Sequence, residues 1–170
     1  MGDESLTLAL LAPAELSHIL TIPPLLLPIH HSQSVWYGVY YYTTLVEVWN
    51  AQTLKPDMLV GDVKAADFDA IIFECGQPLD ENDPEALRVA REAVEQGKVL
   101  AANCMMPVIL ANTGVLEGKR ATCNSNYASF LENKGTISTG SIVERDGNVI
   151  TAIFDGHEQV GWIIAEALAG

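Results

Sequence analysis

The chain has 170 residues, 49% of them hydrophobic and 18% charged, and its nine Lys plus Arg against 22 Asp plus Glu give a formal net charge of −13. That length suits one domain spanning residues 1–170, is short for two, and with this apolar content excludes a disordered chain. The acidic balance argues against a nucleic-acid or anionic-membrane partner, because either needs a basic surface.

Met1-Gly-Asp-Glu-Ser5 lacks the basic opening of a secretory signal. The apolar stretch from Leu6 to Pro28 is interrupted by Glu15, His18 and four prolines, so it does not read as a membrane span. Leu6 to Ala12 reads instead as a buried strand, and the segment to about Ser34 as proline-broken helix and loop. Three cysteines, an odd number, and the absence of a targeting signal point to a reducing cytoplasm rather than a disulfide framework. Val35 to Tyr42 and Leu45 to Trp49 are aromatic and β-branched, the pattern of strands. Asp69 to Glu74 is a further buried strand, leading into Cys75-Gly76. Asp83 is a good N-cap with Pro84 at the first helical position, and the stripe Leu87, Ala90 and Val94 predicts a helix that Gly97 stops. Lys98 to Asn103 is a strand running into Cys104. Pro107 to about Thr113 is expected to be helical, Arg120 to Cys123 a strand, and Asn126 to Asn133 a helix closed by Gly135. Ile142 to Glu144 and Val149 to Ile153 form a hairpin about Arg145-Asp-Gly-Asn148. A last helix, about His157 to Ala169, carries Val160, Ile163, Ile164, Ala167 and Leu168 on one side. Strands that are apolar throughout and alternate with helices predict a mostly parallel sheet between two helical layers, a flavodoxin-like α/β sandwich. Ligands of such sheets bind beyond the carboxyl ends of the strands, where Cys75-Gly76 and Cys104 fall.

Cys104 stands between a strand and a helix. The positive end of a helix and nearby backbone N–H groups favour thiolate over thiol, so this position predicts a nucleophile, with a buried structural cysteine as the competing reading. No cofactor is expected. His30-His31 reads as a surface pair or a metal site, with the surface reading favoured, and His157 as a capping or interface residue. The Trp36 to Tyr42 aromatics read as strand packing or a dimer contact, and Met105-Met106 as packing beside a pocket. Asn103 and Asn124 are polar neighbours without an assigned role.

Lys98 to Thr122, with Ala102-Asn-Cys-Met-Met-Pro107 and Leu110-Ala-Asn-Thr-Gly-Val-Leu-Glu-Gly-Lys119, resembles the signature of the PfpI-like (DJ-one/PfpI) superfamily. Asp67-Phe-Asp-Ala-Ile-Ile-Phe-Glu-Cys-Gly76 is similar to that family's D-Y-D-A-L-I-L-P-G-G strand, and Lys55-Pro-Asp57 and Asp146 to Thr151 match further landmarks. The resemblance covers residues 55–170 well and the first third loosely. It implies dimers or larger homo-oligomers and a reactive elbow cysteine, Cys104. It also implies a small-molecule substrate of hydrolase, amidase, protease-like or glyoxalase type. Gly76 and the Met105 amide are then the donors that hold a substrate oxygen.

The departures from that family matter as much. Many relatives carry an acid after the first strand about four residues before a Pro; this chain has Ile19 or Leu20 there, and Glu15 or His18 could substitute. Where the protease-like branch has His after the cysteine, Met105 stands, and a thioether cannot move protons. Cys75 replaces the first Gly of the family's pair and Cys123 a frequent His. Both read as small apolar fillers, or as partners of Cys104 in a thiol cluster able to form a disulfide or bind a soft metal. An enzyme and a non-enzymatic redox or soft-metal protein therefore both remain open.

Overall fold

The apolar runs of the chain become the strands of one layered sheet, seen in a computed structural model that describes residues 6–11, 34–40, 46–48, 52–54, 57–74 and 80–169. Among these residues the elements are β1 (Leu6–Leu11), β2 (Ser34–Tyr40), β3 (Val46–Val48), β4 (Gln52–Leu54), β5 (Met58–Leu59), β6 (Ala70–Phe73), α1 (Pro84–Glu95), β7 (Val99–Asn103), α2 (Pro107–Thr113), β8 (Arg120–Ala121), α3 (Ala128–Asn133), β9 (Ile137–Ser138), β10 (Val143–Asp146), β11 (Val149–Ala152) and α4 (His157–Ala169). The described sheet runs β10-β11-β7-β6-β1-β2-β5, parallel throughout except for the edge pair β10–β11. This is the expected flavodoxin-like arrangement.

Period-2 alternation sorts the sheet's side chains between two cores. Ile71, Phe73, Leu100 and Ala102 face one way, packing with Ala86, Val89, Ala90 and Ala93 of α1, with Val108 to Ala111 of α2 and with Leu131 of α3. Ala70, Ile72, Val99 and Ala101 face the other way, against Val160 and Ile164 of α4. Both faces are covered, which is why β6 and β7 are apolar at every position rather than alternating. The α1 stripe is rotated from the one expected: Ala86, Val89, Ala90 and Ala93 are buried, while Leu87 and Val94 lie at its margin.

Several shorter elements correct the sequence reading. The strand expected at 45–49 is one arm of a hairpin, β3 pairing antiparallel with an unforeseen β4. Arg120 to Cys123 is a strand only over its first two residues, in a separate parallel pair with β9. It stops because the Thr122 N–H donates to Thr151 Oγ1 at 2.8 Å instead of to a partner strand. The helix expected from Asn126 begins as a 3-10 turn, Ser125–Tyr127, before α3. The hairpin is as expected, with Asp146 opposite Val149 and Gly147 at φ 65° in the turn.

Candidate active site

All strands of the parallel sheet end at one edge, and there β7 delivers Cys104. Val99 to Asn103 are fully buried, and the chain then turns sharply: Cys104 has φ 63°, the one described non-glycine residue with positive φ. A side chain in this left-handed region costs about 1–3 kcal/mol and persists only where its surroundings over-determine it. They do so here from three sides. The Cys104 N–H donates to Ala152 O at 2.9 Å, the Cys104 carbonyl accepts from Asn124 N–H at 3.0 Å, and Met106 N–H donates to Asn103 O at 3.0 Å. The helix follows over Pro107–Thr113, as expected, with Pro107 at its first position.

The sulfur has a specific donor. Asn124 Nδ2 lies 3.1 Å from Cys104 Sγ, while Asn124 Oδ1 accepts the Phe154 N–H at 2.9 Å. That second bond fixes which way the amide faces: its oxygen is taken by a backbone donor, so its NH₂ is the group turned on the sulfur. An N–H aimed at sulfur favours thiolate over thiol. Cys104 retains 8% of its surface, nearly closed but not sealed.

Cys123 neighbours this sulfur without forming a disulfide with it, and both thiols are buried. Burial above all pushes the Cys123 thiol up to about 11, with the negative charges of Cys104 and Glu132 adding to the shift. At neutral pH it is a neutral filler in the wall of a pocket of about 400 Å³, lined also by Asn124, Ser125, Asn126, Ser138 and Ile153. Asn124 therefore joins the pocket to the elbow, and among the described residues no side chain of the lining is charged at neutral pH. Behind Cys104, the buried Asn103 donates from Nδ2 to Glu74 Oε2 at 3.3 Å.

The structure thus brings together Cys104, Met105 and Cys123 of the sequence-predicted set. Glu15, His18, Cys75, Gly76, His30 and His31 lie outside the described residues. His157 opens α4. Among the described residues no group of three or more His, Cys, Asp or Glu could hold a metal ion. Asn124 and Glu74 are the residues that sequence reasoning left without a role. The traces they left were slight: a polar residue just past a short strand, and an acid at the end of an apolar run.

A family model described as the DJ-1/PfpI family matches residues 39–159. The chain belongs to the DJ-1/PfpI family. It is similar to an uncharacterized protein of Methanocaldococcus jannaschii, 36% identical over 96 residues, which are 54% of this chain and 47% of that protein. The chain thus matches about half the length of that relative. A deglycase of Thermococcus kodakarensis is 26% identical over 142 residues, 78% of this chain and 82% of that one. The crystal structure of a ThiJ/PfpI domain protein from Brachyspira murdochii superposes with a TM-score of 0.84 over 98% of both chains at 17% identity, a likeness of fold. Among the described residues no helix is long and apolar enough to cross a membrane.

Proposed function

We propose that this DJ-1/PfpI protein is a cysteine-dependent enzyme of hydrolase or deglycase type, in which Cys104 attacks the carbonyl or amide carbon of a small molecule. The observation that carries the reading is the sulfur held in a left-handed elbow with the Asn124 amide N–H on it at 3.1 Å. The name of the Thermococcus relative supports the deglycase end of this range. In the attack the thiolate pair forms the sulfur–carbon bond and the carbonyl π pair moves to oxygen. The reading assigns the oxygen to the Met105 amide, with Gly76 as the second donor, as the family resemblance implies. With an amide, the oxygen pair then re-forms the carbonyl and the carbon–nitrogen pair leaves with the amine, which takes a proton from water. Water next adds to the thioester carbon, and the sulfur–carbon pair returns to the sulfur. The same reading carries a homodimer or larger assembly, for which the exposed Ile137, Ile142, Phe154 and Trp162 are available apolar surface.

The test is alkylation of Cys104 by iodoacetamide across pH, with turnover of a panel of small carbonyl and amide compounds before and after. Fast reaction at pH 7 and loss of turnover are expected. A rate that rises only above about pH 8.5, as for an ordinary thiol, removes the nucleophile. A redox reading is favoured by one observation, the electrostatic coupling of Cys123 to Cys104. In it hydrogen peroxide takes two electrons from the two thiols, giving one disulfide and two waters, and a mass loss of two hydrogens in the linked peptides would establish it.

A further inference from the structure

Past β11 the chain makes one 3-10 turn, Phe154–Gly156, before α4 begins at His157. Gly156 is buried and its N–H donates to Ile153 O at 3.0 Å. Its φ lies outside the left-handed region, so glycine is needed here for space rather than for conformation. A Cβ on Gly156 would stand 2.7 Å from the Ile142 carbonyl oxygen, 3.1 Å from Ala152 Cβ and 3.1 Å from Val143 Cγ2. The nearest of these has little room to yield. Ile142 O already accepts the Ile153 N–H at 3.0 Å, and the next residue, Val143, is paired with Ala152 across the β10–β11 hairpin. A methyl group at position 156 therefore displaces the turn, because the ladder holds the hairpin in place.

That turn carries the clamp on the nucleophile. Two residues before Gly156, the Phe154 N–H donates to Asn124 Oδ1 at 2.9 Å, and Asn124 Nδ2 lies 3.1 Å from Cys104 Sγ. The segment leading into the turn meets the elbow a second time, where Ala152 O accepts the Cys104 N–H. The two ends of an asparagine amide are nearly alike in shape, so hydrogen bonds decide which end faces the sulfur. We propose that the Phe154–Gly156 turn positions Cys104 for attack. Gly156 is its positioning residue: the missing side chain lets the turn close far enough for the Phe154 N–H to reach Asn124. A side chain at position 156 draws that N–H off the amide oxygen. The carboxamide then turns over, and its oxygen, facing a thiolate, disfavours the charge that the NH₂ had favoured. The described titratable groups about this site are Cys123 with Glu132 acting on it, Glu74 bonded to Asn103, and Asp155 within the turn.

This inference rests on the reading of Cys104 as the nucleophile, and its test separates the two. Alkylation of Cys104 by iodoacetamide is followed across pH in wild type, Gly156→Ala, Asn124→Leu and the double variant. All four keep the titratable neighbours, so a moved midpoint reports the amide. Gly156→Ala should raise the midpoint of the rate curve by about one pH unit or more, as loss of a hydrogen bond to a charged group does, and Asn124→Leu by as much. In the Asn124→Leu background, Gly156→Ala should move the midpoint no further, because the clamp is already gone. A midpoint unmoved by Gly156→Ala, or moved equally in both backgrounds, overturns the proposal and leaves the nucleophile standing. A wild-type rate that rises only above about pH 8.5 overturns both readings. Should Gly156→Ala fail to fold, Phe154→Pro keeps the glycine and removes the N–H. Its midpoint should rise as in Asn124→Leu, and a midpoint equal to that of wild type overturns the proposal.

Discussion

Among the described residues two helices begin with proline, and they begin differently. At α1 the Asp83 side chain accepts from Glu85 N–H at 3.0 Å and Ala86 N–H at 2.8 Å, with Pro84 at a position that needs no donor. At α2 Pro107 holds the same place, but Met106 precedes it with no side-chain cap, and two residues earlier Cys104 is bent to φ 63°. One junction satisfies its amides locally and is relaxed. The other leans on Ala152 and Asn124 from distant parts of the chain to hold a strained turn. Strain that needs long-range support marks the junction that presents a reactive atom, while the relaxed one serves the fold.

The contrast breaks most completely at the sulfur itself. Cys104→Ala should abolish turnover while the protein still folds, as circular dichroism and an activity assay would show; retained activity would place the chemistry elsewhere. Asn124→Leu should slow alkylation of Cys104 at pH 7 by about tenfold or more, since a hydrogen bond to a charged group contributes about 1.5–3 kcal/mol. An unchanged rate would mean that the 3.1 Å contact does not stabilise the thiolate.

How much of this was legible before the structure follows from the range of each interaction. The α1 start was readable because Asp83, Pro84 and their partners lie within three residues. The elbow was readable as a place, since an apolar strand ran into Cys104 and the family resemblance covers that stretch. What holds the elbow was not: Asn124 is 20 residues from Cys104 and Phe154 another 30 from Asn124, separations that no local pattern encodes. Glu74 was hidden for the same reason, because only the β6–β7 register sets it beside Asn103. The short strands β4, β5 and β9 escaped notice because two or three residues are too few for a period.

Stability measurements sharpen the contrast at smaller scale. Asp83→Ala should cost about 1 kcal/mol, a fall in Tm of about 2–4 °C for a chain of this length, with Cys104 alkylation unmoved. At the elbow the order of small residues should invert. Cys104→Gly should be more stable than Cys104→Ala by about 1 kcal/mol, because only glycine takes a positive φ without strain, whereas alanine is ordinarily the better choice. Thermal melts of the pair check it, and alanine coming out ahead would show the turn to be unstrained.

The smallest effect concerns the second thiol and disappears at neutral pH. Cys123 is raised to about 11 from an ordinary 9.0, chiefly by burial. The folded protein therefore holds this proton where the unfolded chain has released it. Stability from that difference is fully present below about pH 9 and drains away as pH climbs towards 11. In Cys123→Ala the fall in Tm between those limits should be shallower than in wild type, whatever the offset between them near pH 7. Parallel pH profiles would show that Cys123 titrates alike in both states. The wall of the pocket would then be open to water, and the two neighbouring thiols would differ less in their surroundings than their contacts indicate.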